Sequence, residues 1–393
     1  MKLSILLSVL PLQAAGLVMP FAKRAEPAPL LLARGDTGLP NKYIIKLKSS
    51  EGGASNAADV PASVGVEPKH LYDRLIKGFS ATLNAEELAA LRDHPEVEFI
   101  EQDSEVKISE FVTQPNATWG ISRMSHRKPH ATDYVYDSSA GEGTCAFILD
   151  TGINPDLAEF EGRAKMLKSY VDGEPTDGHG HGTHVAGTIG SKTFGLAKKT
   201  KLYGVKVLNN AGTGPWSDVI AGLELVGRYV NCTKCPKGVV VNMSLAGKKI
   251  DTVNQAAKSL VEAGAFLGVA AGNFGDDAAN WSPASEPSVC TVAASTADDT
   301  MPYWSNFGEL VDVFAPGASI NSTWFDGTTH LSSGTSMASP HVVGLAAYLG
   351  ALEGIKGGAI CDRIKELATK DVITELLSPN TPNLLAFNGN PSG

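Results

Sequence analysis

The rhythm of apolar and polar positions changes three times along this chain. A single charge, Lys2, precedes an apolar run over 3–12, interrupted by Pro11 and Gln13 and ending at Ala14-Ala15-Gly16. Residues 17–40 follow, rich in Ala, Pro and Leu and carrying Lys23-Arg24, without a pattern that builds a core. Strand-like segments at 42–48, 78–83 and 97–101 then enclose a helical stretch at 85–91, which predicts a small α+β domain of about 70 residues. From about 112 the segments become longer and more apolar. Thr144-Cys145-Ala146-Phe147-Ile148-Leu149 is apolar almost throughout and ends at Asp150-Thr151-Gly152. A strand of that kind is buried on both faces, as in a parallel sheet. Further buried strands are predicted at 202–207, 239–241 and 265–271, with helices at 217–229 and 252–263 between them. The fold class is therefore α/β, a doubly wound and mostly parallel sheet. In such sheets function gathers at the carboxyl ends of strands, where Asp150 and Asn273 fall.

Composition narrows the setting. The 393 residues are 43% hydrophobic and carry a formal net charge of −9, which disfavours a nucleic-acid partner. The opening run reads as a cleaved secretory signal over 1–16, and no other segment is suited to span a bilayer, so a secreted, extracellular protein is expected. Five cysteines agree with an oxidising compartment. Spacing alone does not pair them: five choices of the odd cysteine times three pairings give fifteen arrangements. Asn-x-Ser/Thr acceptors occur at Asn116, Asn231, Asn242, Asn280 and Asn321, of which Asn242 lies in an apolar strand and Asn280 precedes Trp-Ser-Pro.

Three short stretches carry the chemistry. Gly334-Thr335-Ser336-Met337-Ala338-Ser339-Pro340-His341 precedes a wholly apolar run, so Ser336 stands at the mouth of a buried helix, with Pro340 tolerated near the helix start. The partial positive charge of a helix N-terminus suits a developing oxyanion. Asp177-Gly178-His179-Gly180-His181-Gly182-Thr183-His184 holds three histidines at intervals of 2 and 3, with glycines between them. A zinc helix wants two histidines four apart around an acidic residue, so one histidine acting as a base is the better account. His184 reads as a structural helix histidine. Asn273 follows the apolar Ala270-Ala271, and its amide is suited to an oxyanion. Asp150, His181 and Ser336 occur in that chain order, with Asp150 expected to hold the imidazole tautomer and His181 to take the Ser336 proton.

The Asp150, His181 and Ser336 motifs in this order resemble the subtilisin family of serine proteases. Trp119-Gly120 and the run from Ser282-Pro283-Ala284-Ser285-Glu286 to Val292 resemble its proteinase K branch, and Tyr43-Ile44-Ile45-Lys46-Leu47 with Gly78-Phe79-Ser80-Ala81-Thr82-Leu83 resembles its inhibitory propeptide. The resemblance implies a signal peptide at 1–16, a propeptide at 17–111 with an inhibitor-like domain at about 42–108, and a peptidase domain at 112–393. It implies a monomeric endopeptidase acting on proteins and peptides, with apolar or aromatic residues preferred before the cut and its own propeptide as inhibitor. Asn273 takes the oxyanion role. Gly212, Trp216, Ser244, Leu245 and Ala246 belong to two substrate-pairing segments, and small Ala270 and Gly272 leave an open pocket. Ala246 departs from the branch's usual glycine, and Lys248-Lys249 from its small residues, which adds a rim preference for acidic groups. The resemblance also implies the pairs Cys145–Cys235 and Cys290–Cys361, with Cys232 odd, and a structural calcium on the Pro287 and Val289 carbonyls and the Asp312 carboxylate, an all-oxygen set.

Two other classes predict different residues. A non-catalytic binding protein on a protease scaffold predicts loss of Asp150, His181, Asn273 or Ser336, and none is lost. An esterase or lipase predicts a Gly-x-Ser-x-Gly elbow and a later histidine. Here Thr335 and Met337 flank the serine and the histidine precedes it.

Overall fold

The computed structural model describes residues 24, 26–33, 38–48, 57–105 and 110–393; the expected signal segment lies outside them. The chain divides into two units, Met1–Lys107 and Ile108–Gly393. In the first, strands β1 (Leu30–Leu31), β2 (Gly38–Leu47), β3 (His70–Tyr72), β4 (Gly78–Thr82) and β5 (Val97–Ser104) form a sheet ordered β1-β5-β2-β4-β3. The short helix α1 (Asp59–Ser63) and α2 (Ala85–Asp93) complete the unit. Asn84 caps α2 through a capping box with Glu87, so the helix begins where its sequence signal stands. Ile45, Leu47, Phe79, Leu91, Val97 and Ile100 fill the core.

The second unit opens with the ribbon of β6 (Phe111–Gln114) and β7 (Tyr134–Asp137) around α3 (Trp119–Arg123). Then come β8 (Cys145–Asp150), β9 (Ala164–Ser169), α4 (His181–Gly190), β10 (Lys201–Lys206), α5 (Trp216–Gly227), β11 (Val239–Met243), β12 (Gly247–Lys248), α6 (Asp251–Glu262) and β13 (Phe266–Ala270). The remainder is β14 (Trp281–Ser282), β15 (Cys290–Ser295), β16 (Val313–Pro316), β17 (Ile320–Thr323), β18 (Thr329–Ser332), α7 (Thr335–Glu353), α8 (Ala359–Leu367), β19 (Thr369–Lys370) and β20 (Leu384–Leu385). Nine strands make one sheet, ordered β19-β20-β16-β15-β13-β11-β8-β10-β9, parallel except where β19 meets β20.

Strand β8 shows why an unbroken apolar run was required. Its alternate residues face opposite layers. Ala146 and Ile148 join the core with α4 and α7, while Cys145, Phe147 and Leu149 join the core with α5 and α6. Helix α7 is buried over most of its length, so it is apolar all round rather than striped. Pro340 is the sixth residue of α7, near the helix start but past its first turn. Among the described residues, no helix is long and apolar enough to cross a membrane.

Candidate active site

The carboxyl end of β8 delivers Asp150, which is fully buried. Its Oδ1 accepts the Thr151 N–H at 2.7 Å and pairs with His181 Nδ1 at 2.7 Å. A carboxylate only accepts, so Nδ1 carries the proton and Nε2 keeps its lone pair. His181 is the first residue of α4 and lines a cleft. Burial disfavours its charged form, but the Asp150 carboxylate, its hydrogen bond and Asp177 outweigh that and raise the imidazole above its ordinary value. His184, one turn along, has no such partner. Desolvation pushes it down to about 4, and its Nε2 lies 3.0 Å from both the Ile320 and His330 carbonyls. His184 is therefore structural.

Asp177 holds this corner together, and the sequence reading assigned it no role. Its Oδ1 accepts from Thr151 Oγ1 at 2.9 Å, the His179 N–H at 3.0 Å and the Gly180 N–H at 2.8 Å. Its Oδ2 accepts from the Thr183 N–H and hydroxyl. The turn after β8 is thereby tied to the first turn of α4. Gly180 enters that helix at φ 104°, and a Cβ there would lie 2.3 Å from the Trp324 ring, so only glycine fits. Lys206, opposite Asp150 in the β10–β8 register and fully buried, was also missed. Its Nζ donates to the Thr151 carbonyl at 2.8 Å, the Leu208 carbonyl at 2.9 Å and Asn210 Oδ1 at 3.0 Å, and pairs with Glu174 at 3.3 Å. The signal for Lys206 was a charge at the end of an otherwise apolar strand, and for Asp177 a carboxylate opening the histidine-glycine motif.

Ser336 is the second residue of α7, and its hydroxyl donates to the Ser244 carbonyl at 3.2 Å. In return Ser244 Oγ donates to the Ser336 carbonyl at 2.7 Å. That carbonyl is free because Pro340, four residues on, has no N–H to give it. Pro340 thus opens an acceptor that fastens the serine turn to the segment after β11. Asn273 Oδ1 accepts the Thr335 N–H at 2.8 Å and the Thr335 hydroxyl at 2.9 Å, which fixes the amide and leaves Nδ2 to donate outward. A Cβ on Gly334 would stand 3.2 Å from that Nδ2, so glycine keeps the approach open.

A cleft of about 460 Å³ is lined by His181, Gly212, Trp216, Ser244, Leu245 and Ala246 together with Thr151, His179 and Gly247. Five of the seven expected substrate residues therefore meet His181 in one cleft. Ala270 is buried at the end of β13, outside that lining, and the Gly272 N–H bonds Thr335 Oγ1 at 3.0 Å on the Asn273 side. Lys248 does not stand free at the rim: its ammonium lies 4.0 Å over the Trp281 ring.

The disulfides Cys145–Cys235 and Cys290–Cys361 form as the resemblance implied, and Cys232 is free. Asn242 is buried, with its amide oxygen accepting from Ser339 Oγ and its Nδ2 donating to Ser244 Oγ, so it is no glycan acceptor. The expected calcium ligands fit an ion poorly. Asp312 Oδ2 accepts the Thr291 N–H at 2.9 Å, and Oδ1 lies 3.2 Å from Lys365 Nζ. Burial raises the Asp312 carboxyl above its ordinary value, against the Thr291 amide and Lys365. Lys365 loses some solvation, yet Asp312 and Asp362 hold its pKa above the usual value. The carboxylate meant for calcium already has a cation.

Comparison with known proteins agrees with this geometry. The model of the subtilase family matches residues 141–368, and that of peptidase inhibitor I9 matches residues 42–109. The chain is 49% identical over 390 residues to a cuticle-degrading protease of Metarhizium anisopliae, covering 99% of this chain and 100% of that one. It is 46% identical over 389 residues to proteinase R of Parengyodontium album, covering 99% of each. A crystal structure of a cold adapted subtilisin-like serine proteinase superposes with a TM-score of 0.65 at 37% identity, covering 70% of this chain and 98% of that one. The chain belongs to the subtilase family and is a serine protease of the proteinase K type with an I9 inhibitor propeptide domain.

Proposed function

We propose that the chain is a secreted, monomeric endopeptidase of broad sequence range that works through an acyl-enzyme on Ser336 and matures itself. The observation that carries this is the 2.7 Å bond from His181 Nδ1 to buried Asp150, which leaves Nε2 as the base in the cleft. A substrate lies extended against the segments around Gly212 and Ser244, paired through its main chain and asking little of sequence. Trp216 and Leu245 favour apolar groups, and the small residues Ala270 and Gly272 favour an apolar or aromatic residue before the cut. Ser336 Oγ leaves the Ser244 carbonyl, gives its proton to His181 Nε2 and bonds the scissile carbon, whose carbonyl electrons move onto oxygen. Asn273 Nδ2 and the Ser336 N–H at the α7 N-terminus receive that oxyanion. Collapse expels the amine, which takes the proton from His181. Water then repeats the sequence, losing its proton to His181, and releases the acid while Ser336 regains its hydrogen.

Maturation is proposed within a few residues of Phe111–Val112, separating residues 17–111 from 112–393. Support comes from the I9 match and from Phe111, an exposed aromatic at the start of β6. The domain at 42–108 would remain as inhibitor. The test expresses the full chain and Ser336→Ala in a host without other secreted proteases. The native form should begin near Val112 and cleave a fluorogenic peptide until a serine-directed inhibitor is added, while the variant stays uncut and inactive. Equal maturation of both would sink self-processing, and inhibitor-resistant activity would sink the acyl-enzyme.

A further inference from the structure

Strand β16 is preceded by Asp312, at the end of the sheet opposite Asp150, since β8 and β16 run in the same direction. Three features converge there. The Cys290–Cys361 bond pins α8 beside the start of β15. Lys365 stands four residues after Cys361, on the same face of α8, so the disulfide sets its direction. Both cysteine sulfurs lie within 4.8 Å of an Asp312 oxygen, and Lys365 Nζ reaches Asp312 Oδ1 at 3.2 Å and Asp362 Oδ1 at 3.1 Å. The sulfurs are spent in their disulfide and offer no metal ligand.

We infer that the Lys365 ammonium is the resident cation of Asp312 and takes the place that calcium would hold among Pro287, Val289 and Asp312. A divalent ion bound there would face a positive charge already in contact with its only carboxylate, and like charges at that range repel. The tethered ammonium needs no ion from solution, so this corner of the fold should be indifferent to chelators. The inference is independent of the catalytic assignment.

The experiment measures melting temperature in excess calcium and in chelator, on the secreted protein with its nucleophile blocked by a covalent serine inhibitor. Five forms are compared: native, Asp312→Asn, Lys365→Arg, Lys365→Met and Lys365→Met with Asp312→Asn. Lys365→Met keeps the length of the side chain but vacates the charge. It should gain a calcium-dependent rise beyond the native response, about 5 °C at calcium a hundredfold above its dissociation constant. Lys365→Arg should respond as the native form does, and the double variant should lose the gain. Calorimetric titration of folded Lys365→Met with calcium should show one site more than the native protein, and this readout decides if the double variant fails to fold. If Lys365→Met responds to calcium no more than the native protein, the inference is overturned. It is overturned equally if Asp312→Asn alone removes a calcium response from the native protein.

Discussion

Asp150 and Asp312 flank opposite ends of one sheet, and each holds a backbone N–H and a nitrogen base or cation. The partners differ. Asp150 at a carboxyl end holds an imidazole, whose second nitrogen faces the cleft and can still exchange a proton. Asp312 at an amino end holds an ammonium, which has nothing to exchange at neutral pH and serves only to neutralise. On the proposed mechanism, the same kind of pair is chemistry at one end and structure at the other. The difference lies in the partner's pKa range and in what opens beside it.

The largest break in that comparison comes from the proton chain itself. Ser336→Ala or His181→Ala should lower kcat by about 10⁶, the figure for such losses in the related subtilisin; the melting temperature should hold in Ser336→Ala and fall in His181→Ala, which leaves the buried Asp150 carboxylate without its partner. Lys365→Met should leave kcat unchanged. A variant of Ser336 that kept native rates on a fluorogenic peptide would remove the nucleophile from the argument. Asp150→Asn comes next, at about 10⁴ in kcat, because an amide can present N–H to His181 Nδ1 and favour the wrong tautomer. The check is a tautomer-sensitive nitrogen NMR spectrum of His181 beside the rate: a normal tautomer with a lost rate would leave Asp150 without its proposed role.

Asn273→Ala should cost about 10²–10³ in kcat, since one oxyanion donor goes and the α7 N-terminus remains. Its effect should fall on kcat more than on KM, because the oxyanion exists only in the transition state. A loss confined to KM would make Asn273 a binding residue. Asn273 also accepts from Thr335; Asn273→Asp keeps both Thr335 bonds but sets a carboxylate oxygen where the N–H pair was, so it should cost more than Asn273→Ala.

How much of this was legible beforehand follows a physical line. Apolar runs announced β8 and β13 because a strand buried on both faces must be apolar on both. The expectations for Asp150, His181, Asn273 and Ser336 rest on glycines and small neighbours that a close-packed turn demands, and the structure sets Asp150 against His181 and Asn273 against Thr335. Destinations of charged side chains were not. Asp177 joins Thr151 to Thr183, Lys206 reaches back to Thr151, and Lys365 reaches Asp312 across 53 positions of sequence. Periodicity reports which groups leave water, and says nothing of where a buried charge finds its partner. What makes Pro340 tolerable was hidden for a related reason: Ser244 Oγ takes the Ser336 carbonyl it frees, and that hydroxyl comes from another element.

The smallest effect separates two histidines one turn apart on α4. Asp150 raises His181, so its charged form is favoured in the fold; that stability is full below about 6.5 and is lost as pH rises through the higher folded value. His184 has the opposite sign. It is buried, has no carboxylate partner and is pushed down to about 4, so its contribution is full above about 6.5 and is lost as pH falls toward 4. A shift of that size corresponds to about 3 kcal/mol. The S336A protein, which cannot digest itself, suits the measurement: proton NMR of the ring hydrogens should titrate His181 above 6.5 and leave His184 neutral down to about 4, with unfolding free energy falling across that acid range. His184→Gln should flatten part of the fall while keeping a donor for the Ile320 and His330 carbonyls. The raised His181 also fixes the acid limb of kcat/KM above 6.5, because the base must be neutral to take the Ser336 proton. If His181 instead titrated below 6.5 in the folded protein, the Asp150 pair would not be stabilising the imidazolium, and the contrast with Lys365 at the other end of the sheet would fail.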